Sequence, residues 1–431
     1  MTETSPEASL GHKTGLNAFS LLACRVGTDL LNFLLFLVVS RRFGPEGTGE
    51  YGYGFALAGL VYYAATLGIE EYGVREYARL PAERRPELIA NLLGAQVCIA
   101  VAVIAILIGY LAITQPLPHM LIIIVCMTIY QLGAAFSATL FVPAMAEQQM
   151  LPPAFINLLG RGTAFVVTGL LILVFNWSLY VASLAFAAGG LLMLVLALRS
   201  AASFKVRLMP NLARRVVLDG VHTLWSFAAV GLLGQLLNRI GVIALSLQVG
   251  EAAAGIYTTG LKLVEVACLP LVYIGVAAYP RLCHAFADPA GFQRLSRQGF
   301  VIGTLAAALL AAAMYLLVPP LLVPVLGERF AGAETIIAAM AAIVLAQGME
   351  IVLGRLMLAA NLNVARAVRI AFGTLVCVLL TIVLTPLFGI GATVAALVCS
   401  YLLVDLLYYG SLFGSLRKAQ LRAGATLMKR A

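Results

Sequence analysis

The sequence predicts an all-α integral membrane fold, with about twelve transmembrane helices in two six-helix bundles related by pseudo-two-fold symmetry. Three observations predict it: a composition unsuited to an aqueous surface, a regular succession of apolar runs, and an internal repeat. Of the 431 residues, 62% are hydrophobic and 11% are charged, and the mean hydropathy is +1.00. Soluble domains carry roughly 25% charged residues. With so few charges, most of the surface must face lipid.

The apolar runs come in order. Spans are expected near 16–40, 50–69, 89–113, 120–141, 154–175 and 179–198, then near 222–248, 253–278, 299–318, 333–359, 367–386 and 390–414. Each is close to the roughly 20 residues that cross the hydrocarbon as a helix. Turn signals separate them, including Gly44-Pro45, Pro81, Pro116 and Pro118, Pro152-Pro153, Pro319-Pro320 and Pro386 to Gly391. The organisation that follows is a cytoplasmic tail (1–15), an N-terminal bundle (16–198), a basic cytoplasmic linker (199–221), a C-terminal bundle (222–414) and a basic cytoplasmic tail (415–431). The first fifteen residues lack the basic region and cleavage site of a signal peptide, so no processing is expected.

Charge sets the orientation. With the N-terminus inside, 20 of the 28 Lys and Arg fall in inside segments, Arg41, Arg42 and Arg329 fall outside, and five lie within spans. Basic flanks stay cytoplasmic, so both termini are expected there, in a bacterial inner membrane. The net charge of +9 reads as topology and not as a nucleic-acid surface.

Several classes are excluded. The seven cysteines avoid the expected outside loops, which argues against a disulfide framework. The four histidines show no metal-ligand spacing, and no cofactor is expected. Gly44 to Gly49 has phosphate-loop glycine spacing but continues with Glu50 and not Lys, so the chain is not expected to hydrolyse ATP. No motif assigns catalytic residues, and a transporter is expected instead of an enzyme.

The repeat appears at a shift of 206 residues. Leu30/Leu236, Leu31/Leu237, Asn32/Asn238, Ser40/Ser246, Gly44/Gly250, Gly49/Gly255, Tyr51/Tyr257, Gly54/Gly260 and Leu57/Leu263 coincide without a gap. The informative part is Gly-x4-Gly-x-Tyr at the first inter-span junction of each half. Parallel halves suit alternating access about a site near the midplane.

The run from Asn32 through Gly44, Gly49 and Tyr51, followed by Leu67-Gly68-Ile69-Glu70-Glu71-Tyr72-Gly73-Val74-Arg75-Glu76-Tyr77-Ala78-Arg79, resembles the N-terminal signature of Wzx-type polysaccharide flippases. That family belongs to the multidrug/oligosaccharidyl-lipid/polysaccharide exporter superfamily. Gly250 to Tyr257 followed by Leu261 to Glu265, and Pro386 to Ala392, are similar to its later motifs. The resemblance implies translocation of an undecaprenyl-pyrophosphate-linked oligosaccharide for surface or exopolysaccharide synthesis. It implies ion-coupled alternating access driven by protons or sodium ions, with polysaccharide polymerase machinery as a further partner. The family places an acid near the position held here by Arg239, so no ion-coupling role is carried onto that spot.

Ionisable side chains inside spans cost roughly 2.5–3.5 kcal/mol on insertion scales and need partners or water. Arg25, Asp29 and Asn32 share one face of the first span. Arg161 lies in the fifth, Asn238 and Arg239 in the seventh, Lys262 and Glu265 one turn apart in the eighth, Glu350 and Arg355 in the tenth, and Asp405 in the twelfth. Arg25, Asn32, Arg161, Asn238, Arg239, Lys262 and Arg355 are the candidates for binding a pyrophosphate and sugars, since the guanidinium fork matches phosphate oxygens. Asp405, Glu265, Asp29 and Glu350 are the candidates for ion coupling. Plainer readings stand beside these. Arg25 with Asp29 and Lys262 with Glu265 can form intrahelical bridges. Arg161 can snorkel to the interface. Arg161, Arg239 and Arg355 are left without a local partner, and Asp405 can hydrogen-bond Tyr401, Tyr408 or Tyr409. The cluster Arg75, Arg79, Arg84 and Arg85, interleaved with acids, reads as an interfacial amphipathic helix. A cation-coupled multidrug exporter of the same superfamily is the first alternative, and a membrane-embedded polysaccharide polymerase or glycosyltransferase the second.

Overall fold

The computed structural model describes residues 6–428 apart from 67, 205, 287 and 288, with side chains described from Cys24 to Gly414 apart from those positions and 71, 214–229, 280 and 289. The expected tails at 1–15 and 415–431 therefore lie outside the described side chains, as does His222 of the scattered histidines.

Among the described residues the regular structure is helical. In chain order the helices are α1 (Pro6–Thr66), α2 (Ile69–Arg79), α3 (Arg85–Thr114), α4 (Pro118–Leu140), α5 (Val142–Ala146), α6 (Leu151–Gly162), α7 (Thr168–Leu173), α8 (Leu179–Ala182) and α9 (Leu184–Ser203). They continue with α10 (Arg214–Gln248), α11 (Glu251–Ala285), α12 (Pro289–Leu326), α13 (Glu334–Ala339), α14 (Ala341–Ala359) and α15 (Asn363–Met428). A wide turn at Thr163–Val167 joins α6 to α7 as one crossing. Nine helical stretches among the described residues are long and apolar enough to cross a membrane.

Two of the long helices are broken once. At Gly44 φ is 69°, and Pro45 opens the second limb of α1. At Gly389 φ is 61°, dividing α15. Both values lie in the left-handed region where a Cβ is penalised, so glycine is the residue that lets the chain reverse there. With these breaks the described residues form twelve limbs, matching the apolar runs of the sequence.

One expectation about turns is corrected. Pro319 and Pro320 lie inside α12, which continues through Pro324 to Leu326 instead of ending near 318. Pro386 also lies inside a helical run, and the break at Gly389 falls within the turn expected from Pro386 to Gly391. An unpaired backbone group costs several kcal/mol in lipid, which favours keeping the apolar run helical despite the missing proline donor.

The chain forms two compact units. The first comprises 1–42 and 50–235, and the second comprises 43–49 and 236–431. Within the first, α9 is held by small residues. A Cβ on Gly190 would collide with the backbone of Tyr130 on α4, and one on Gly189 with the Gly160 carbonyl on α6. Close backbone approach of this kind is how membrane helices gain contact when solvent supplies no apolar driving force. Buried Gln96 on α3 donates to the Ala135 carbonyl (2.9 Å) and accepts from Thr139 (2.7 Å), tying α3 to α4.

The chain after α9 does not hang free. Asn211 donates its backbone N–H to the Ala90 carbonyl (2.8 Å) and its side-chain amide to Asn91 (2.8 Å). Gly94 faces the Asn211 backbone with no room for a Cβ. The amphipathic α2 lies against α3 and α5, with Ile69 and Tyr77 buried and Arg75 and Arg79 exposed. Burial pushes the Tyr77 phenol up from its ordinary value, opposed by the Arg85 guanidinium 5.1 Å from its ring.

Within the second unit the repeat glycines sit against backbone. A Cβ on Gly255 would meet the Pro45 carbonyl, and one on Gly49 the Glu251 carbonyl. The positions paired at a shift of 206 thus make paired contacts.

Candidate functional site

The ionisable side chains of each unit gather into their own set. In the first unit, Asn32 accepts a hydrogen bond from Tyr51 (3.4 Å). Half-buried Arg161 lies within electrostatic reach of Tyr130, Tyr62, Asp29 and Tyr63. It therefore joins Asp29 and a group of tyrosines. The intrahelical bridge between Arg25 and Asp29 does not form among the described residues. Arg25 is exposed, and its carbonyl accepts from Thr28 (2.8 Å).

The second unit holds the denser set. Glu265 on α11 accepts from Arg239 on α10 (2.7 Å) and from Lys262 one turn earlier (2.9 Å). The side chains of Arg239 and Lys262 are 15% and 12% exposed and that of Glu265 is 36% exposed. The Lys262–Glu265 bridge expected from spacing is present. The view of Arg239 as unpartnered is corrected, because packing of α10 on α11 supplies a carboxylate that helical spacing alone cannot reveal. Arg355 also has interactions of its own, and its stem packs on Gly275.

Further along, Glu350 on α14 pairs with Arg366 at the start of α15 (3.6 Å). Arg366 was missed by sequence reasoning, which placed it in an inside loop; only the tertiary contact reveals it. Tyr401 donates to Asn238 (2.8 Å), and Tyr408 donates to the Arg366 carbonyl (3.4 Å). Tyr409 makes tilted ring contacts with Phe300 and Phe413. Asp405 is 3% exposed, and neither carboxylate oxygen has a hydrogen-bond partner among the described residues. The tyrosines expected as its partners are directed elsewhere. Glu350 is the charged group felt most by Asp405.

Chemically, the second unit offers a carboxylate gripped by two cations, a second carboxylate held by Arg366, and a third with none. The first two are neutralised in place. Asp405 is the acid whose oxygens accept no hydrogen bond among the described residues.

Residues 15–286 match the model of a family described as polysaccharide biosynthesis protein. The chain belongs to that family. Among solved structures, this family member is similar to an inward-facing multidrug resistance MATE family transporter of the MOP superfamily, at 14% identity and a TM-score of 0.68, over 92% of this chain and 96% of that one. It is similar to the lipid II flippase MurJ in an inward closed conformation, at 12% identity and a TM-score of 0.71, over 95% of this chain and 91% of that one. A mutant of a Vibrio cholerae MATE transporter shares 14% identity at a TM-score of 0.55, over 95% of this chain and 98% of that one. None of the curated proteins matches the chain. The fold is that of these transporters, and the expected all-α, twelve-helix class holds. The protein is a multi-pass membrane protein with a transporter fold.

Proposed function

We propose that the protein is a flippase that moves undecaprenyl-pyrophosphate-linked oligosaccharide units across the bacterial inner membrane by ion-coupled alternating access. The observation that carries this reading is the match to the polysaccharide biosynthesis family over 15–286. The side chains support it. Arg161 among tyrosines suits an anionic head group or sugars in the first unit, and Arg239, Lys262 and Arg355 do so in the second. Arg25 and the repeat asparagines Asn32 and Asn238 complete the proposed substrate-binding set. Asp405 is the proposed ion-loading carboxylate. Glu350 and Asp29 are further candidates for ion coupling, as is Glu265, which also holds Arg239 and Lys262 in place. Both termini are cytoplasmic in this reading, with 199–221 as the linker between the bundles. Polymerase machinery on the far side would consume the product.

A multidrug exporter is the second reading, favoured by the MATE structures of similar fold. The two separate in proteoliposomes. A flippase exposes a fluorescent polyprenyl-pyrophosphate glycan to an external reagent in response to a proton or sodium gradient, without ATP. An exporter instead accumulates ethidium under the same gradient. Ethidium transport with no glycan movement would reject the flippase reading.

A further inference from the structure

We propose that a groove along α12 binds an anionic phospholipid of the surrounding bilayer. The groove has a volume of about 800 Å³ and is lined by Gln293, Arg294, Arg297, Gln298, Val301 and Ile302. The positions repeat as adjacent pairs every four residues, so they form one stripe on the helix. The stripe changes character along its length. Its first two turns are Gln and Arg. Val301, Ile302, Leu305 and Leu309 follow, each at least half exposed.

A polar, cationic end running into an exposed apolar track has the polarity of a lipid: head group first, acyl chains after. Arg294 and Arg297 are exposed and have no ion pair among the described residues. Their guanidinium forks are thus available to a phosphate, and two forks one turn apart can converge on one phosphodiester. The Gln298 amide adds a donor for a glycerol or a second phosphate oxygen. Beside the stripe, Phe300 contacts Tyr409 at 5.4 Å between ring centroids, and Tyr409 contacts Phe413 at 4.5 Å. Aromatic rings of this kind mark the level of lipid head groups. Among the described residues that line the groove, none belongs to the charged set around Glu265 and Asp405 or is assigned to transport. The inference does not rest on the proposed function.

The test uses the full-length protein in detergent and native mass spectrometry with phosphatidylglycerol and phosphatidylcholine. Wild type is expected to retain phosphatidylglycerol about tenfold more than phosphatidylcholine, a ratio worth about 1.4 kcal/mol. Arg294→Ala with Arg297→Ala should abolish that preference, while the two Arg→Lys changes should keep part of it. Arg84→Ala with Arg199→Ala removes the same charge from exposed positions elsewhere and should leave the preference intact. Undiminished preference in the Arg294/Arg297 double variant would overturn the proposal, as would equal loss in the Arg84/Arg199 control. Complete displacement of phosphatidylglycerol by inorganic phosphate would reduce the groove to an ion site. Preferential retention of polyprenyl pyrophosphate would make it a substrate site. Either result also overturns the assignment to a bilayer lipid.

Discussion

Tyr401 donates its hydroxyl to Asn238 across 2.8 Å, and Asp405, one turn further along α15, is left with two unpartnered carboxylate oxygens. The tyrosine one turn before it is engaged by the repeat asparagine. This makes Asp405 the acid with least reason to be there for structure. Asp405→Asn keeps the shape and removes the titrating group. It should stop gradient-driven transport while leaving thermal stability equal or slightly higher, since a buried group without partners contributes nothing to folding. Transport at wild-type gradient dependence would leave Asp405 a packing residue.

Glu265 should behave in the opposite way. Glu265→Gln leaves Arg239 and Lys262 facing each other without a counter-ion. Breaking a buried pair costs about 3–5 kcal/mol, and partial exposure of Glu265 lowers that to about 1–3 kcal/mol. The melting temperature should fall, and Arg239→Gln in the same background should recover part of it. An unchanged melt in Glu265→Gln would show that the three side chains do not act as a unit.

For the arginines, Arg239→Ala and Arg355→Ala should each abolish polysaccharide export at normal protein levels. Lys at either position should restore it partly, because an ammonium lacks the bidentate fork. Full export by the double Ala variant, measured as surface polysaccharide, would discard their role in head-group binding.

Packing gives a sharper test of the fold. Gly190→Ala places a methyl group against the Tyr130 backbone and should cost about 1–3 kcal/mol. Gly109→Ala, where nothing lies within 4 Å, should be neutral or mildly stabilising. Equal melting temperatures for the two variants would contradict the α4–α9 contact.

Topology is tested by thiol labelling in a Cys-free background. Glu46→Cys, at an exposed position, should react with an impermeant reagent in intact cells, and Pro210→Cys should be protected. Gly47, its neighbour, is buried and would give a false negative. Labelling of Pro210→Cys from outside would reverse the orientation.

The spans were legible because each is a separate apolar run of membrane length, and lipid enforces helix on such a run. The glycine breaks were legible in part: Gly44-Pro45 announced itself, while Pro319-Pro320 pointed to a turn that the surrounding leucines and valines override. The site was legible only where both partners share a helix. Lys262 and Glu265 follow from a spacing of three. Arg239 with Glu265, Glu350 with Arg366, and Tyr401 with Asn238 lie 26, 16 and 163 residues apart. Periodicity carries no signal at those separations, because they are set by which helices become neighbours.

The anchoring of Asn211 on Ala90, Asn91 and Gly94 bears on how the protein could be made in pieces. The stretch after α9 is the obvious place to divide the gene, since it is polar and central. Yet residues up to 235 are grouped with the first unit, so a cut directly after α9 strips that unit of its own strap and the beginning of α10. The Gly94 surface would then lie bare on one fragment. A working pair of half-proteins would carry the strap and the chain through Gln235 on the N-terminal piece, leaving Asn238 and Arg239 with their partners Tyr401 and Glu265.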